Sequence, residues 1–180
     1  MLSLSLASTV YQAAPLPLHG PGSRTLDTVP IETMSDPTFN QLNHGWNAEP
    51  NSPEPVVEVE GTTARLSFFL NPFQFEAGEE EVALLTFTGT RQWRLGATND
   101  EGWYRGQCRY SSIAPKWGEF YEIVGDDPLR SAPLGWLRTV TGGWDGRHFL
   151  FYLRDETFEC IADDWSLQRG FSSAIVKDES

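Results

Sequence analysis

From residue 56 onward the chain alternates apolar and polar positions in short runs: Val56 to Val59, Ala64 to Leu70, Val82 to Phe87, Gln92 to Leu95, Trp103 to Tyr110, Glu119 to Val124, Trp136 to Val140, Arg147 to Leu153 and Thr157 to Ile161. A period of two places successive side chains on opposite faces of a strand. Turn residues separate nearly all of these runs, and no stretch between them carries a 3.6-residue period. The pattern predicts a mainly β fold, a single antiparallel barrel or sandwich of about 8–9 short strands, rather than parallel βαβ units. One or two short helices accompany it. Ser35 and Asp36 are N-cap candidates ahead of Pro37, which predicts a helix from Pro37 to about Leu42, and a last helical turn is expected around Asp163 to Gln168.

Before residue 34 the alternation fails. Its longest stretch is Leu2-Ser3-Leu4-Ser5-Leu6, and the run Ala14-Pro15-Leu16-Pro17-Leu18-His19-Gly20-Pro21-Gly22 denies both helix and ladder hydrogen bonds. Residues 1–33 are therefore expected to be a disordered extension. Met34-Ser35-Asp36-Pro37 reads as a fresh start, so Met34 is expected to be the true or ancestral start and the upstream 33 residues an extension or an over-long gene call. Residues 34–172 are expected to form one β-rich globular domain, with a proline-rich linker at Glu49 to Pro55, and residues 173–180 a polar tail.

Two hairpins assign faces. A two-residue loop at Asp155-Glu156 would pair Leu153 with Phe158, Phe151 with Cys160 and Phe149 with Ala162, making that face core. The opposite face, carrying Tyr152 with Glu159 and Arg154 with Thr157, then reads as ordinary solvated surface. A second hairpin pairing Tyr110 with Gly118 puts Tyr104, Gly106, Cys108, Tyr110, Phe120 and Val124 on one face. Trp103, Arg105, Gln107, Arg109, Glu119 and Tyr121 then share the other, with Arg109 facing Glu119.

Composition narrows the partners. The chain has 25 acidic against 13 basic residues, a net charge of -12. Such a potential repels phosphate backbones and anionic lipid, so neither nucleic acid nor a membrane surface is an expected partner; a basic protein or a small polar ligand is. Acidity that serves only solubility is the plain alternative. No run reaches the roughly 20 apolar residues needed to cross a bilayer as a helix. The 2 cysteines, Cys108 and Cys160, suit a reducing interior, and a cytoplasmic location is expected. The 7 Trp, 11 Phe and 5 Tyr favour strands and a core of rigid flat side chains.

The best candidate for chemistry is the polar face with Trp103, Arg105, Gln107, Arg109 and Tyr121, a mixture of forked donors and flat rings suited to anions, carboxylates or sugars. Cross-strand ion pairing on a wetted sheet is the plainer account. Asn99, Asp100 and Glu101 lie beside it and could serve acid/base work or bind a hard cation, although Asn-Asp-x-Gly is also ordinary turn chemistry. Glu119 with Glu122 could make a glycosidase-like pair with tryptophans such as Trp117 as sugar platforms. The segments Asn71 to Phe75 and Ala114 to Gly118 each set a large aromatic near a proline and read as rims or end plugs.

Signatures of reaction are scarce. His44 and His148 are the only histidines after residue 34, neither near a cysteine in sequence, so both thiols read as buried and inert. There is no Cys-x-x-Cys, no His-x-x-x-His and no phosphate-cradling glycine pattern, so no cofactor and no metal are expected. A non-catalytic binding or interaction domain, of the inhibitor or immunity type that partners a basic protein, is the preferred expectation. The alternative is a small-ligand or carbohydrate-binding barrel, with hydrolysis by carboxylates as its extension.

Overall fold

A computed structural model describes residues 36–114 and 116–171. The expectations for residues 1–33 and 173–180 lie outside the described residues. Among the described residues ten strands form two antiparallel sheets, with one short helix. The strands are β1 (Thr38–Gln41), β2 (Val56–Glu60), β3 (Thr63–Phe69), β4 (Val82–Thr88), β5 (Gln92–Gly96), β6 (Phe120–Val124), β7 (Leu137–Arg138), β8 (Arg147–Tyr152), β9 (Thr157–Ala162) and β10 (Asp164–Phe171), and α1 is Asp100–Tyr104. The six-stranded sheet runs β1-β6-β8-β9-β5-β7 and the four-stranded sheet β10-β4-β3-β2. Neither closes on itself, so the fold is a sandwich rather than a barrel.

The sheets share a corner where the chain crosses twice. Gly89-Thr90-Arg91 carries β4 into β5, and Asp163 alone separates β9 from β10. Gly89 has φ +64°, and a Cβ there would stand 2.0 Å from an Asp163 carboxylate oxygen, so only glycine fits. Arg91 pairs with Asp163 at 2.6 Å across this corner. Between the sheets lies an aromatic core: Phe120, Phe149, Phe151 and Phe158 of the larger sheet meet Phe68, Leu66, Leu85 and Phe87 of the smaller, with Trp46 closing one side.

The larger sheet is also covered on its outer face. Phe39, Tyr121, Ile123, Leu150 and Tyr152 point away from the sandwich and pack under Trp103, Tyr110, Ala114 and Trp117. These last four belong to the connection between β5 and β6, so a segment holding α1 and a series of turns forms a partial third layer.

Several expected elements differ. The helix at Pro37 to Leu42 is β1, because Thr38 and Phe39 favour extended backbone and Phe39 finds a slot against Tyr110 and Tyr121 at 5.3 and 5.8 Å between ring centres. The turn at Asp163 to Gln168 is likewise strand β10, paired along β4 from Asp164↔Thr88. Trp136 to Val140 contributes only the two residues of β7. The strand expected from Trp103 to Tyr110 does not form. Asn99 caps α1 by accepting from the Gly102 amide at 2.9 Å, and left-handed backbone at Gly106 (φ +70°) and Tyr110 (φ +68°) then breaks any extended run. Without that strand there is no Tyr110–Gly118 hairpin, and Arg109 does not face Glu119.

The β8–β9 hairpin forms with its register moved by two residues. Phe151 pairs with Phe158 and Phe149 with Cys160, because the bend centres on Arg154-Asp155 and Leu153 donates to the Glu156 carbonyl at 2.9 Å. A shift of two preserves faces. The core assignment of Phe149, Phe151, Phe158 and Cys160 therefore stands, whereas Tyr152 pairs with Thr157 and Leu150 with Glu159 on a face that is buried, not solvated.

Candidate functional site

The covered outer face is where charge is buried. Register sets Glu159 of β9 between Leu150 of β8 and Arg94 of β5, all three pointing outward from the sandwich. Glu159 is 1% exposed. Its carboxylate accepts from Arg94 Nη1 at 2.7 Å, from His148 Nε2 at 2.9 Å, and from Arg109 Nη2, which descends from the cover. Arg109 is itself anchored through Nη1 to the carbonyls of Leu129 and Arg130, and its guanidinium lies 4.4 Å from the Tyr110 ring centre.

A second buried carboxylate faces the same imidazole. The Asp127 side chain is fully buried, accepts from the Tyr110 hydroxyl, and sits 3.6 Å from His148 Nδ1. That nitrogen has no hydrogen-bond partner. Burial lowers the His148 pKa against the opposing pull of Glu159, with Arg109 and Arg130 resisting a further positive charge. The imidazole is thus neutral, with its proton on Nε2 directed at Glu159. Burial would raise the Glu159 carboxyl, but the His148 hydrogen bond and the charges of Arg109 and Arg94 outweigh it and hold the pKa below the usual carboxylate range. Desolvation also pushes the phenols of Tyr110 and Tyr152 well above their ordinary value, so both stay neutral donors. Around His148 three guanidiniums, Arg94, Arg109 and Arg130, therefore stand against two carboxylates.

A cavity of about 460 Å³ opens beside this cluster, within the usual range for small-molecule sites. Arg94, Leu150, Tyr152, Thr157 and Glu159 form its floor, and Gln107, Cys108, Arg109, Tyr110, Leu129, Ala132 and Pro133 its roof. Two donors in that floor lack protein acceptors. The Thr157 hydroxyl is buried without a hydrogen bond, and so is Arg94 Nε. The Arg94 side chain folds over Gly96, where a Cβ would stand 2.1 Å from Nη2; the seat for this guanidinium exists because residue 96 has no side chain.

The residues singled out from sequence scatter around the cavity. Gln107 and Arg109 line it. Trp117 stacks on Tyr152 at 4.7 Å, Trp103 lies 6.0 Å from Trp117, and both form the aromatic wall of the cover. Tyr121 belongs to the same cluster; its hydroxyl bonds the Lys116 backbone, and burial pushes its pKa up to about 12. Asn99 caps α1, the Asp100 carboxylate accepts from the Glu101 amide at 2.7 Å, and Glu101 pairs with exposed Arg105 one turn on at 3.3 Å. Glu119 accepts from Gln41 and Asn43 at 2.9 and 2.6 Å, while Arg147 grips Glu122 with two bonds, so these two carboxylates already have separate partners. Burial raises the Cys108 thiol, and raises Cys160 to about 12. Cys160 pairs with Phe149 on the inner face, opposite His148, so the two cannot act together. Among the described residues no three His, Cys, Asp or Glu side chains cluster as metal ligands.

Sequence patterning does not single out Arg94, Asp127, His148, Thr157 or Glu159. One signal pointed to them: Phe149-Leu150-Phe151-Tyr152-Leu153 is an unbroken apolar run, the mark of a strand buried on both faces. A glutamate on the neighbouring strand then has to be buried with partners. No protein-family model, curated protein or solved structure matches the chain.

Proposed function

We propose that this protein binds a small ligand in the cavity between the outer face of the larger sheet and its cover. The observation that carries this reading is the cavity's buried polar floor, which combines charged groups fixed by one another with donors that no protein atom satisfies. Buried polar groups are ordinarily paired, and unpaired ones cost on the order of 1–3 kcal/mol each. The reading is non-catalytic: His148 is sealed behind Glu159 and the Cys108 thiol is held protonated. A thermal-shift screen of small polar organic molecules tests it. A ligand at about 100 times its dissociation constant adds about 2.7 kcal/mol, or roughly 5–10 °C of Tm for a chain this long. Ala132→Trp, at the cavity rim, should abolish the shift without lowering Tm; a screen with no such ligand defeats the reading.

A second reading keeps the basic protein partner, and a different surface favours it. Residues 49–54 and 69–80 enclose a groove of about 670 Å³ with Phe69, Leu70, Pro72 and Phe73 as its floor and Glu49, Glu54, Glu79 and Glu80 on its rim. Phe73 is 77% exposed. Nearby Arg154 and Arg169 are committed to Asn51 and Glu81 respectively. An apolar floor under an acidic rim fits a Lys- or Arg-rich segment carrying one large apolar side chain. Binding of a labelled peptide of that composition should weaken with salt and fall about tenfold in Glu79→Gln/Glu80→Gln. Equal binding by the variant removes this groove as the surface.

A further inference from the structure

We infer that the cavity recognises a carboxylate group, held between Arg94 and Thr157, on a ligand with a short apolar body. This inference rests on the small-ligand reading above and names the chemistry of that same site.

The geometry follows from register. Gly96 pairs with Thr157 and Arg94 with Glu159 across β5 and β9. Side chains directly opposite in an antiparallel pair have Cβ atoms about 4.5–5.5 Å apart. Arg94 Nη2 occupies the space of the missing Gly96 Cβ, within 2.1 Å of where that atom would be. The guanidinium is thereby brought beside the Thr157 side chain, while its Nη1 is held by Glu159 at 2.7 Å. Thr157 is 3% exposed and its hydroxyl has no partner, although both residues line the cavity. Arg94 Nε, a charged donor, and the Thr157 hydroxyl, a neutral one, both lack an acceptor and belong to the lining of one cavity, so together they are complementary to the two oxygens of one anionic group.

Charge selects a monoanion. With His148 neutral, the three guanidiniums around the cluster exceed the two carboxylates by one positive charge, inside a protein whose net charge is -12. One negative group balances the cluster; a dianionic phosphate would leave an unmatched buried charge, which is costly. Beyond Arg94 and Arg109 the lining carries no further cation, and its walls at Leu129, Ala132, Pro133 and Leu150 suit an apolar body.

The test compares carboxylates with their neutral amides. Acetate, propionate, hexanoate and phenylacetate are titrated against the full chain at fixed ionic strength, each beside its amide, with phenyl phosphate as the dianion, by Tm and tryptophan fluorescence. At least one carboxylate should bind about tenfold or more tighter than its amide, and phenyl phosphate weaker than phenylacetate. Thr157→Val should leave Tm unchanged or raised, because the hydroxyl it removes has no protein partner, yet weaken that carboxylate about tenfold. Gly96→Ala, which takes the Arg94 seat, should weaken it as well. If no carboxylate outbinds its amide, or if Thr157→Val binds as the wild type does, the inference fails. Should an amide bind equally well and be blocked by Ala132→Trp, the cavity reading survives that failure; if Ala132→Trp blocks nothing, both fall.

Discussion

The two faces of the larger sheet are built from the same strands and buried to the same degree, yet they are held by opposite chemistry. On the inner face Phe120, Phe149, Phe151 and Phe158 pack edge-on and tilted against Phe68 and Phe87 at 5.2 to 6.1 Å, an apolar core that needs only shape and volume. On the outer face Glu159 stands directly behind those phenylalanines and gathers Arg94, Arg109 and His148. Burying that set sacrifices hydration which only mutual pairing repays. The inner face tolerates any well-packed apolar set, whereas the outer one works only when every member is present. Stability alone gives no reason to prefer the second arrangement, and its position against a cavity is the functional argument.

The largest expected effect breaks the outer face at its centre. Glu159→Ala removes the one anion shared by two guanidiniums and the imidazole, and should cost at least about 3–5 kcal/mol, measured by urea unfolding. A cost below about 1 kcal/mol would mean that water already solvates this cluster. Phe151→Ala should cost a comparable amount, about 3–5 kcal/mol, by lost burial and a residual cavity. The two differ in remedy: Phe151→Leu should recover most of the loss, while Glu159→Leu should not, because it restores volume without the anion.

Gly96→Ala comes next. The added Cβ meets Arg94 Nη2 at 2.1 Å, so the guanidinium must leave Glu159 or the strand must shift, at about 1–3 kcal/mol. An alanine tolerated with no loss would place Arg94 elsewhere in solution.

How much of this was legible in sequence follows the same division. Alternation revealed the inner face, since Phe149, Phe151, Phe158 and Cys160 share a face in any register that slips by an even number. It misjudges the outer face, because a polar residue opposite a core residue normally meets water, whereas Glu159 is buried. What buries it is the non-local cover between β5 and β6. The cover itself escapes that pattern: Trp103, Arg105, Gln107 and Arg109 alternate like a strand, but the Asn99 cap and the left-handed Gly106 and Tyr110 turn the same residues into α1 and loops. Arg109, a candidate by its chemistry alone, does line the cavity, although its partner, Glu159, lies 50 residues away and no local pattern connects them.

The smallest expected effect is also the sharpest probe of the contrast, because it distinguishes the faces by pH. His148 is neutral in the folded protein, its pKa lowered by burial, whereas in the unfolded chain it titrates near the ordinary value of about 6.5. As pH falls below that value the unfolded state takes up a proton that the native state refuses, so this contribution to stability is complete above about pH 6.5 and is lost as pH drops, by at most about 1.4 kcal/mol per pH unit. Glu159 acts lower down: its depressed pKa preserves stability above the ordinary carboxylate range and loses it only as pH falls through the folded value. Between pH 7.5 and 5.5 the wild type should therefore lose stability with a slope that His148→Gln flattens, since the amide keeps a donor for Glu159 and cannot take the proton. Phe151→Ala should lower the whole curve and leave its slope intact. A wild-type stability that instead rises as pH falls over this range would make His148 an imidazolium bridging Glu159 and Asp127, whose carboxylate lies only 3.6 Å from Nδ1. The cluster would then carry a second unmatched positive charge, and the cavity would call for a dianion.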